Sequence, residues 1–288
     1  MSTGFFARTP HRTDRCRASW HQLCRRWDGS CRHGVTKNKP MPPLRVFIGW
    51  DPREDLAYQV CRRSIEAHSS IPTEIIAIRQ GDMRTRGLYW RSPDPLSSTE
   101  FSFTRFLTPY LARYRGWAVF VDCDFLFRKD IAELLDYRDS SKALSCVKHD
   151  YVPKEDVKMD GRKQTQYPRK NWSSFMLINC SHEQVQALTP DVVNSESGLY
   201  LHRFSWLPDD TIGSLPVAWN YLEGWHTPAD CEDPSAVHFT RGGPWLANYQ
   251  DVAFAREWLS TASNDEAASP DVARRRPAGY GVPLALHH

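Results

Sequence analysis

The residues whose types and spacing best suit chemistry are Asp122 and Asp124, which directly follow the apolar run 117–121. Side chains alternate along an extended chain, so both carboxylates are expected on one side, with Cys123 on the other. Two carboxylates this close repel each other unless a cation lies between them. Oxygen ligands favour Mg²⁺ or Mn²⁺, which also bind diphosphates. The spacing therefore predicts a divalent metal site; the competing interpretation is a chance pair of surface carboxylates.

A second candidate segment lies at residues 237–245. His238 is suited to be a third metal ligand, and Arg241 to form charge-assisted hydrogen bonds with a diphosphate. The adjacent Gly242 and Gly243 permit close backbone approach to phosphate oxygens. Alone this segment is equally well explained by a structural histidine and a turn, so its weight comes from its combination with the two aspartates.

The elements that must position these residues alternate between strands and helices. Helical spacing predicts helices over 55–68, behind an aspartate cap, and over 99–113, with an aromatic face. Apolar runs predict strands at 44–49, 74–78, 118–121 and 174–179. Such alternation is typical of a mostly parallel α/β sheet, which binds ligands at the carboxyl ends of its strands.

Composition narrows the class of protein. The 288 residues carry a net charge of +3, but residues 1–40 hold nine basic and two acidic residues, which leaves the remainder at 28 − 32 = −4. An acidic body argues against nucleic acid as the main partner. The longest apolar runs, about five residues, fall far short of the ~20 that span a bilayer. Eight cysteines without a CxxC motif favour a reduced, cytoplasmic location, with peripheral attachment to a membrane surface left open.

The chain divides into three predicted parts. Residues 1–43 form a basic leader predicted to be disordered; an organelle-targeting segment and zinc ligation by its cysteines and histidines are the alternatives. Residues 44–258 form one domain, interrupted by the polar insertion 149–171. Residues 259–288 are predicted to be a disordered tail.

The order of motifs resembles glycosyltransferase family 8. It runs from an apolar strand and Asp-x-Asp, through Pro-Asp-Asp and Leu-Pro…Trp-Asn, to His-x-x-x-Gly-x-Pro-Trp, over residues 44–250. The resemblance implies the GT-A fold, a Rossmann-like, mostly parallel sheet with helices on both faces. It also implies a metal-dependent hexosyltransferase that takes a nucleotide-sugar donor, with UDP as the expected nucleotide.

Site residues follow from the resemblance one by one. Asp122 and Asp124 match the motif that holds Mn²⁺ and the donor, and His238 matches the third metal ligand. Gly243 matches the glycine near the diphosphate, and Asn220 a residue with a structural role. The donor itself is expected to meet Asp51 at the uracil ring, and Arg105 and Asp209 at the sugar.

Three departures mark a divergent relative. Gly243 replaces a usual lysine, so Arg241 or a lysine from 154–170 is expected to contact the phosphates instead. The stretch 172–175 replaces Asn-Ala-Gly, and Asp210 replaces a glutamine. The resemblance implies transfer with retention, for which Asp209 and Asp210 are the candidate catalytic carboxylates, with an electrostatic role favoured over a covalent one. A chance helix start explains them equally well.

The predicted function is therefore transfer of a hexose from a UDP-sugar to an unknown carbohydrate, lipid or protein acceptor. Two alternatives remain. A haloacid-dehalogenase-type phosphatase would use Asp122 as nucleophile, although Leu126 stands where that class has threonine or valine. The other is a non-catalytic sugar-binding or partner-binding relative.

Overall fold

A computed structural model describes residues 42–93, 97–149 and 169–262. The leader up to residue 41, most of the predicted insertion and the chain beyond residue 262 lie outside the described residues. The last described helix ends at Thr261, past the predicted domain boundary at 258.

The main sheet has six strands in the order β2-β1-β3-β6-β5-β7. Five of them run in one direction, and β6 alone is antiparallel to its two neighbours, β3 and β5. Their bounds are β1 Leu44–Trp50, β2 Thr73–Arg79, β3 Trp117–Val121, β5 Leu144–Cys146, β6 Phe175–Asn179 and β7 Ile212–Ser214. The predicted α/β class with a mostly parallel sheet is confirmed.

A small second sheet, in the order β4-β9-β8, stands beside the first. Its strands are β4 Phe125–Phe127, β8 Tyr221–Leu222 and β9 Ala236–His238. Because β4 begins four residues after β3 ends, the chain passes from one sheet to the other through residues 122–124. The two predicted metal ligands thus lie in the connection between the sheets.

The α-helices are mostly short. They comprise α1 Asp55–His68, α2 Gln80–Thr85, α3 Phe101–Thr104, α4 Thr108–Leu111, α5 Glu183–Gln186, α6 Pro190–Ser195, α7 Gly198–His202 and α8 Ala255–Thr261. The longest, α1, has the predicted bounds, but its N-cap is Glu54, which makes no side-chain cap hydrogen bond. Helix α1 contributes buried side chains to both hydrophobic clusters, with Ile65 beside the main sheet and Val60 beside the small one. It therefore holds the two sheets together.

The predicted helix over 99–113 is interrupted. Helices α3 and α4 flank a 3₁₀ turn at Arg105–Leu107. Pro109 causes the break, because it has no N–H to donate to the Arg105 carbonyl one turn earlier. The Thr108 hydroxyl donates to that carbonyl instead, at 2.8 Å. The break matters for the site, since Arg105 lies at the start of the 3₁₀ turn.

Two general expectations can be compared with the described residues. The five cysteines among them are free thiols, four of them buried. In the same part of the chain, every helix is too short or too polar to cross a bilayer.

Candidate functional site

The site begins where β3 ends. Asp122 and Asp124 stand in the turn between β3 and β4, at the carboxyl edge of the main sheet. The Asp122 amide donates to the Ser174 carbonyl at 2.9 Å, so the turn is bound to the start of β6. Cys123 between them is buried, and its thiol donates to Glu54 Oε2 at 3.3 Å. The predicted alternation of the two carboxylates with Cys123 thus has a structural basis.

Strand β9 brings His238 to the aspartates from more than a hundred residues away. Strands β4 and β9 pair antiparallel with Phe125 opposite His238, and the Phe239 amide extends the ladder to the Asp124 carbonyl at 3.0 Å. The His238 ring stacks on the Phe125 ring at 4.2 Å between centroids. A short ladder and one stacking contact therefore place the imidazole.

The resulting cluster consists of Asp122, Asp124 and His238, whose ligand atoms all lie within 4.8 Å of one another. Oδ1 of each aspartate is buried and has one charged or imidazole neighbour, Arg105 for Asp122 and His238 for Asp124. Two buried carboxylates this close to each other repel, so they suit a cation that both can bind. Two carboxylates and one imidazole are also a ligand set for Mg²⁺ or Mn²⁺. The residues fit the metal that the sequence predicts.

The charges of the pair are unequal. Burial raises the pKa of Asp122 to about 7, although the Arg105 guanidinium opposes the shift from 2.8 Å away. Burial also acts on Asp124, but His238, with Nε2 at 3.2 Å from Oδ1, outweighs it and lowers the pKa of that carboxyl. When two buried carboxylates lie this close, one ionises readily and the other tends to keep its proton. A bound cation would stabilise the charge of the second carboxylate.

Arg105 forms a buried ion pair with Asp122. Its guanidinium is buried and donates to the Ser173 carbonyl at 3.0 Å, while Nη1 forms the ion pair with Asp122. The aromatic rings of Phe101 and Phe120 lie beside it, 5.3 and 5.2 Å from the guanidinium carbon. Arg105 is therefore in the cluster's immediate surroundings, as a partner of a metal ligand.

A buried polar chain supports His238. Its Nδ1 lies 2.9 Å from Asn220 Oδ1, and Asn220 Nδ2 donates to Ser174 Oγ at 2.9 Å. The Ser174 hydroxyl donates in turn to the Asn171 carbonyl at 2.7 Å. Asn220, Ser174 and His238 are all buried. Sequence reasoning assigned Asn220 only a structural role, and nothing in the order of residues signals its contact with the histidine.

Glu54 is a further residue that sequence reasoning missed. Burial raises its pKa to about 8, with the charge of Asp124 as the next cause. It belongs to the 3₁₀ turn Pro52–Glu54 and reaches the cluster only through the packing of α1 against β4. A lone glutamate in a turn has no sequence signal that separates it from surface carboxylates.

Asp51 is buried at the start of that turn, and its carboxylate is already engaged. It accepts hydrogen bonds from the Arg53 backbone and guanidinium and from the Glu100 amide. Burial acts to raise the pKa of Asp51, but the contacts with Arg53 outweigh it and lower the pKa. Asp51 therefore caps this turn in the structure. Its contact with a uracil ring remains a prediction.

The structure does not bring Arg241 and Gly243 into the cluster's contacts. Arg241 is exposed and lies over the Trp225 ring at 5.9 Å. Gly243 is buried, and a Cβ added there would stand 2.0 Å from the Trp245 ring. In this structure a side chain at position 243 would therefore collide with Trp245 unless the ring moved.

Asp209 and Asp210 lie at the other edge of the main sheet. They precede β7, and the register places Ile212 level with Leu144, Ile178 and Ala118, four residues before Asp122. Ile212 is therefore separated from Asp122 by roughly 13 Å along the strands and by three strand spacings of about 4.8 Å across the sheet. Asp209 is exposed and paired with Arg169 at 2.5 Å. The structure does not unite this pair with the metal-ligand cluster.

Comparison with solved structures identifies the fold. The chain resembles the WbbM bifunctional glycosyltransferase with a TM-score of 0.59 and 15% identity, over 81% of this chain and 52% of that one. It resembles GlyE of Streptococcus pneumoniae TIGR4 with a TM-score of 0.52 and 14% identity, over 77% of this chain and 60% of that one. The chain thus spans little more than half the length of these proteins. At such identities the likeness shows a GT-A glycosyltransferase fold.

Comparison of sequences identifies the family. No family model matches the chain. Protein CDI of Arabidopsis thaliana is 55% identical over 234 residues, which cover 80% of this chain and 89% of that protein. At this identity and coverage, the chain belongs to the same family as Protein CDI.

Proposed function

We propose that the chain is a metal-dependent glycosyltransferase that transfers a sugar from a nucleotide-sugar donor, with UDP as the expected nucleotide. The observation that carries the proposal is the cluster of Asp122, Asp124 and His238 at the carboxyl edge of a GT-A-like sheet. Ligands of α/β sheets bind at that edge, and the cluster's chemistry suits a divalent ion that also binds a diphosphate.

Asp122, Asp124 and His238 would hold Mn²⁺ or Mg²⁺, and the bound ion would stabilise the negative charge of a nucleoside diphosphate leaving group. The remaining residues prepare this site. Arg105 fixes the Asp122 carboxylate from the buried side and partly offsets its charge. Phe125 covers one face of the His238 ring and keeps it from rotating away from the aspartates. The ligands are thus preorganised, which reduces the cost of assembling the site.

Sugar identity, retention at the anomeric carbon and the acceptor belong to the same proposal. A hexose and retention are implied by the family resemblance, and the acceptor is a carbohydrate, a lipid or a protein. Neither a phosphatase nor a non-catalytic binder gains support from the fold neighbours, both of which are glycosyltransferases by name.

A screen of nucleotide sugars tests the proposal. Thermal unfolding of the full chain is measured with each nucleotide sugar, with and without Mn²⁺. A donor raises the melting temperature only when the metal is present, because a ligand that binds the native state stabilises it. Donor hydrolysis by the same samples supports a transferase, and hydrolysis of a simple phosphoester supports a phosphatase. Binding without either activity supports a non-catalytic binder.

A further inference from the structure

We propose that Asn220 and Ser174 are positioning residues that hold a proton on Nδ1 of His238, so that Nε2 is the nitrogen left to ligate a metal beside the two aspartates. The inference deepens the proposed function and rests on it for the role of the metal. The inference rests on a buried series of hydrogen bonds that runs from the Asn171 carbonyl through Ser174 and Asn220 to His238.

The Asn171 carbonyl has a fixed role in this chain, because a backbone carbonyl only accepts hydrogen bonds. Asn171, whose φ of 63° turns the backbone just before β6, directs its carbonyl at the Ser174 hydroxyl. The hydroxyl therefore donates its single proton to Asn171. Its oxygen is left to accept a proton from Asn220.

That assignment fixes the amide of Asn220. The end that faces Ser174 Oγ at 2.9 Å must be the NH₂ group, which also lies 3.4 Å from the Asn171 carbonyl. A flipped amide would set its oxygen against two acceptors. Oδ1 consequently faces His238 Nδ1 at 2.9 Å. Since Oδ1 only accepts, Nδ1 must carry the proton.

In a neutral imidazole bound to a metal, the second nitrogen is then unprotonated. His238 Nε2 lies 3.2 Å from Asp124 Oδ1, where it donates to that carboxylate in the absence of a metal and would be the ligating nitrogen in its presence. A metal-ligating histidine usually donates its other N–H to such a partner, which sets the ring orientation. Here the partner is an amide held by a serine, all three side chains being buried.

The tautomer can be measured without metal. Long-range ¹H–¹⁵N spectra of the metal-free full chain report which ring nitrogens of His238 carry a proton. We expect a proton on Nδ1 in the wild type and its loss from Nδ1 in Asn220→Leu, where the Nε2–H that faces Asp124 remains. A wild-type ring whose Nδ1 carries no proton overturns the inference. Because no metal is present, this result is independent of the proposed function.

Mn²⁺ binding, followed by electron paramagnetic resonance of the free ion, gives the second readout. Asn220→Leu keeps the branching and the number of side-chain heavy atoms but accepts no proton, and it should weaken Mn²⁺ binding about 10- to 100-fold. Asn220→Asp accepts the Nδ1 proton and should bind at least as tightly as the wild type. Equal affinity of Asn220→Leu and wild type contradicts the inference, as does equal weakness of Asn220→Leu and a folded Asn220→Asp.

Ser174 supplies a matched control. Ser174→Ala removes the acceptor that selects the amide orientation and should weaken Mn²⁺ binding severalfold in the Asn220 background. It should have no further effect in the Asn220→Asp background, since a carboxylate has no NH₂ end to orient. Equal losses in both backgrounds mean that Ser174 acts only on the fold of the turn, and they contradict its positioning role. A wild type that binds no Mn²⁺ refutes the metal in the proposed function and leaves the spectra to decide this inference.

Discussion

Single residues determine what the site can do, and the pair of aspartates is the clearest case. The spacing of Asp122 and Asp124 by itself predicts a shared cation site, because two carboxylates on one side of a strand end need a counter-charge. The residues that support the pair were not predictable. The contacts of Arg105, Asn220 and Glu54 depend on elements that lie far apart in sequence and meet only through sheet pairing and packing.

Asp210 gives a prediction at the same scale. It is exposed, and the register of β7 places it at the edge of the sheet away from the cluster. We expect Asp210→Asn to leave turnover within about twofold, a change of less than 1 kcal/mol in the activation barrier. Steady-state transfer assays check this. A tenfold loss of turnover at unchanged melting temperature would show that Asp210 reaches the donor, as the resemblance implies.

His149 gives a pH-dependent prediction. It is 8% exposed, and burial together with the neighbouring His226 and His238 lowers its pKa to about 3. An unfolded histidine takes up its proton near pH 6.5, so the wild type loses stability as the pH falls below that value.

The matching variant is His149→Gln, which lacks this proton uptake. Between pH 7 and pH 5, the unfolding free energy of the wild type should fall by about 2 kcal/mol relative to the variant. Urea unfolding at a series of pH values measures the difference. A difference that stays constant down to pH 5 would mean that the buried ring is protonated without cost.

Elements set the position of the site, and sequence predicts them unevenly. Helix α1 and the strands β1 and β3 were predictable from apolar spacing, because each is long or continuously apolar. The interruption of the helix over 99–113 follows from Pro109. The prediction of one continuous helix relied on the apolar spacing and gave the proline no weight. Strands β4, β8 and β9 are two or three residues long, too short for a periodic pattern to show.

Gly243 gives a prediction at the scale of the turn it occupies. A Cβ there would lie 2.0 Å from the Trp245 ring, which is itself buried. Gly243→Ala should therefore destabilise the protein by about 1–3 kcal/mol. The matched control is Gly81→Ala in α2, where nothing lies within 4 Å of the new Cβ and a gain of about 0.5–1 kcal/mol is expected. Urea midpoints compare the two variants; equal effects would contradict the steric account.

At the scale of the whole molecule, the two sheets meet where the aspartates lie. The main sheet brings Asp122 to its carboxyl edge, and the small sheet carries His238 to the same place through the pairing of β4 with β9. Residue chemistry and the family resemblance both suggested that these residues belong together, but the pairing that joins them was not predictable, since the β4–β9 ladder joins segments more than a hundred residues apart. The fold class was predictable from alternation alone; the position of Asp209 and Asp210 was not, because it depends on the strand order across β6 and β5.

The cluster is proposed to hold a divalent ion on which donor chemistry depends. The most direct measurement is release of nucleoside diphosphate from the donor that the screen identifies, by metal-stripped protein before and after Mn²⁺ is added. We expect no release without metal, recovery with Mn²⁺, and about a 10²-fold or greater loss in Asp124→Ala, with the exposed Asp251→Ala unchanged. Full activity in excess EDTA, or an Asp124→Ala variant as active as the wild type, would contradict the claim.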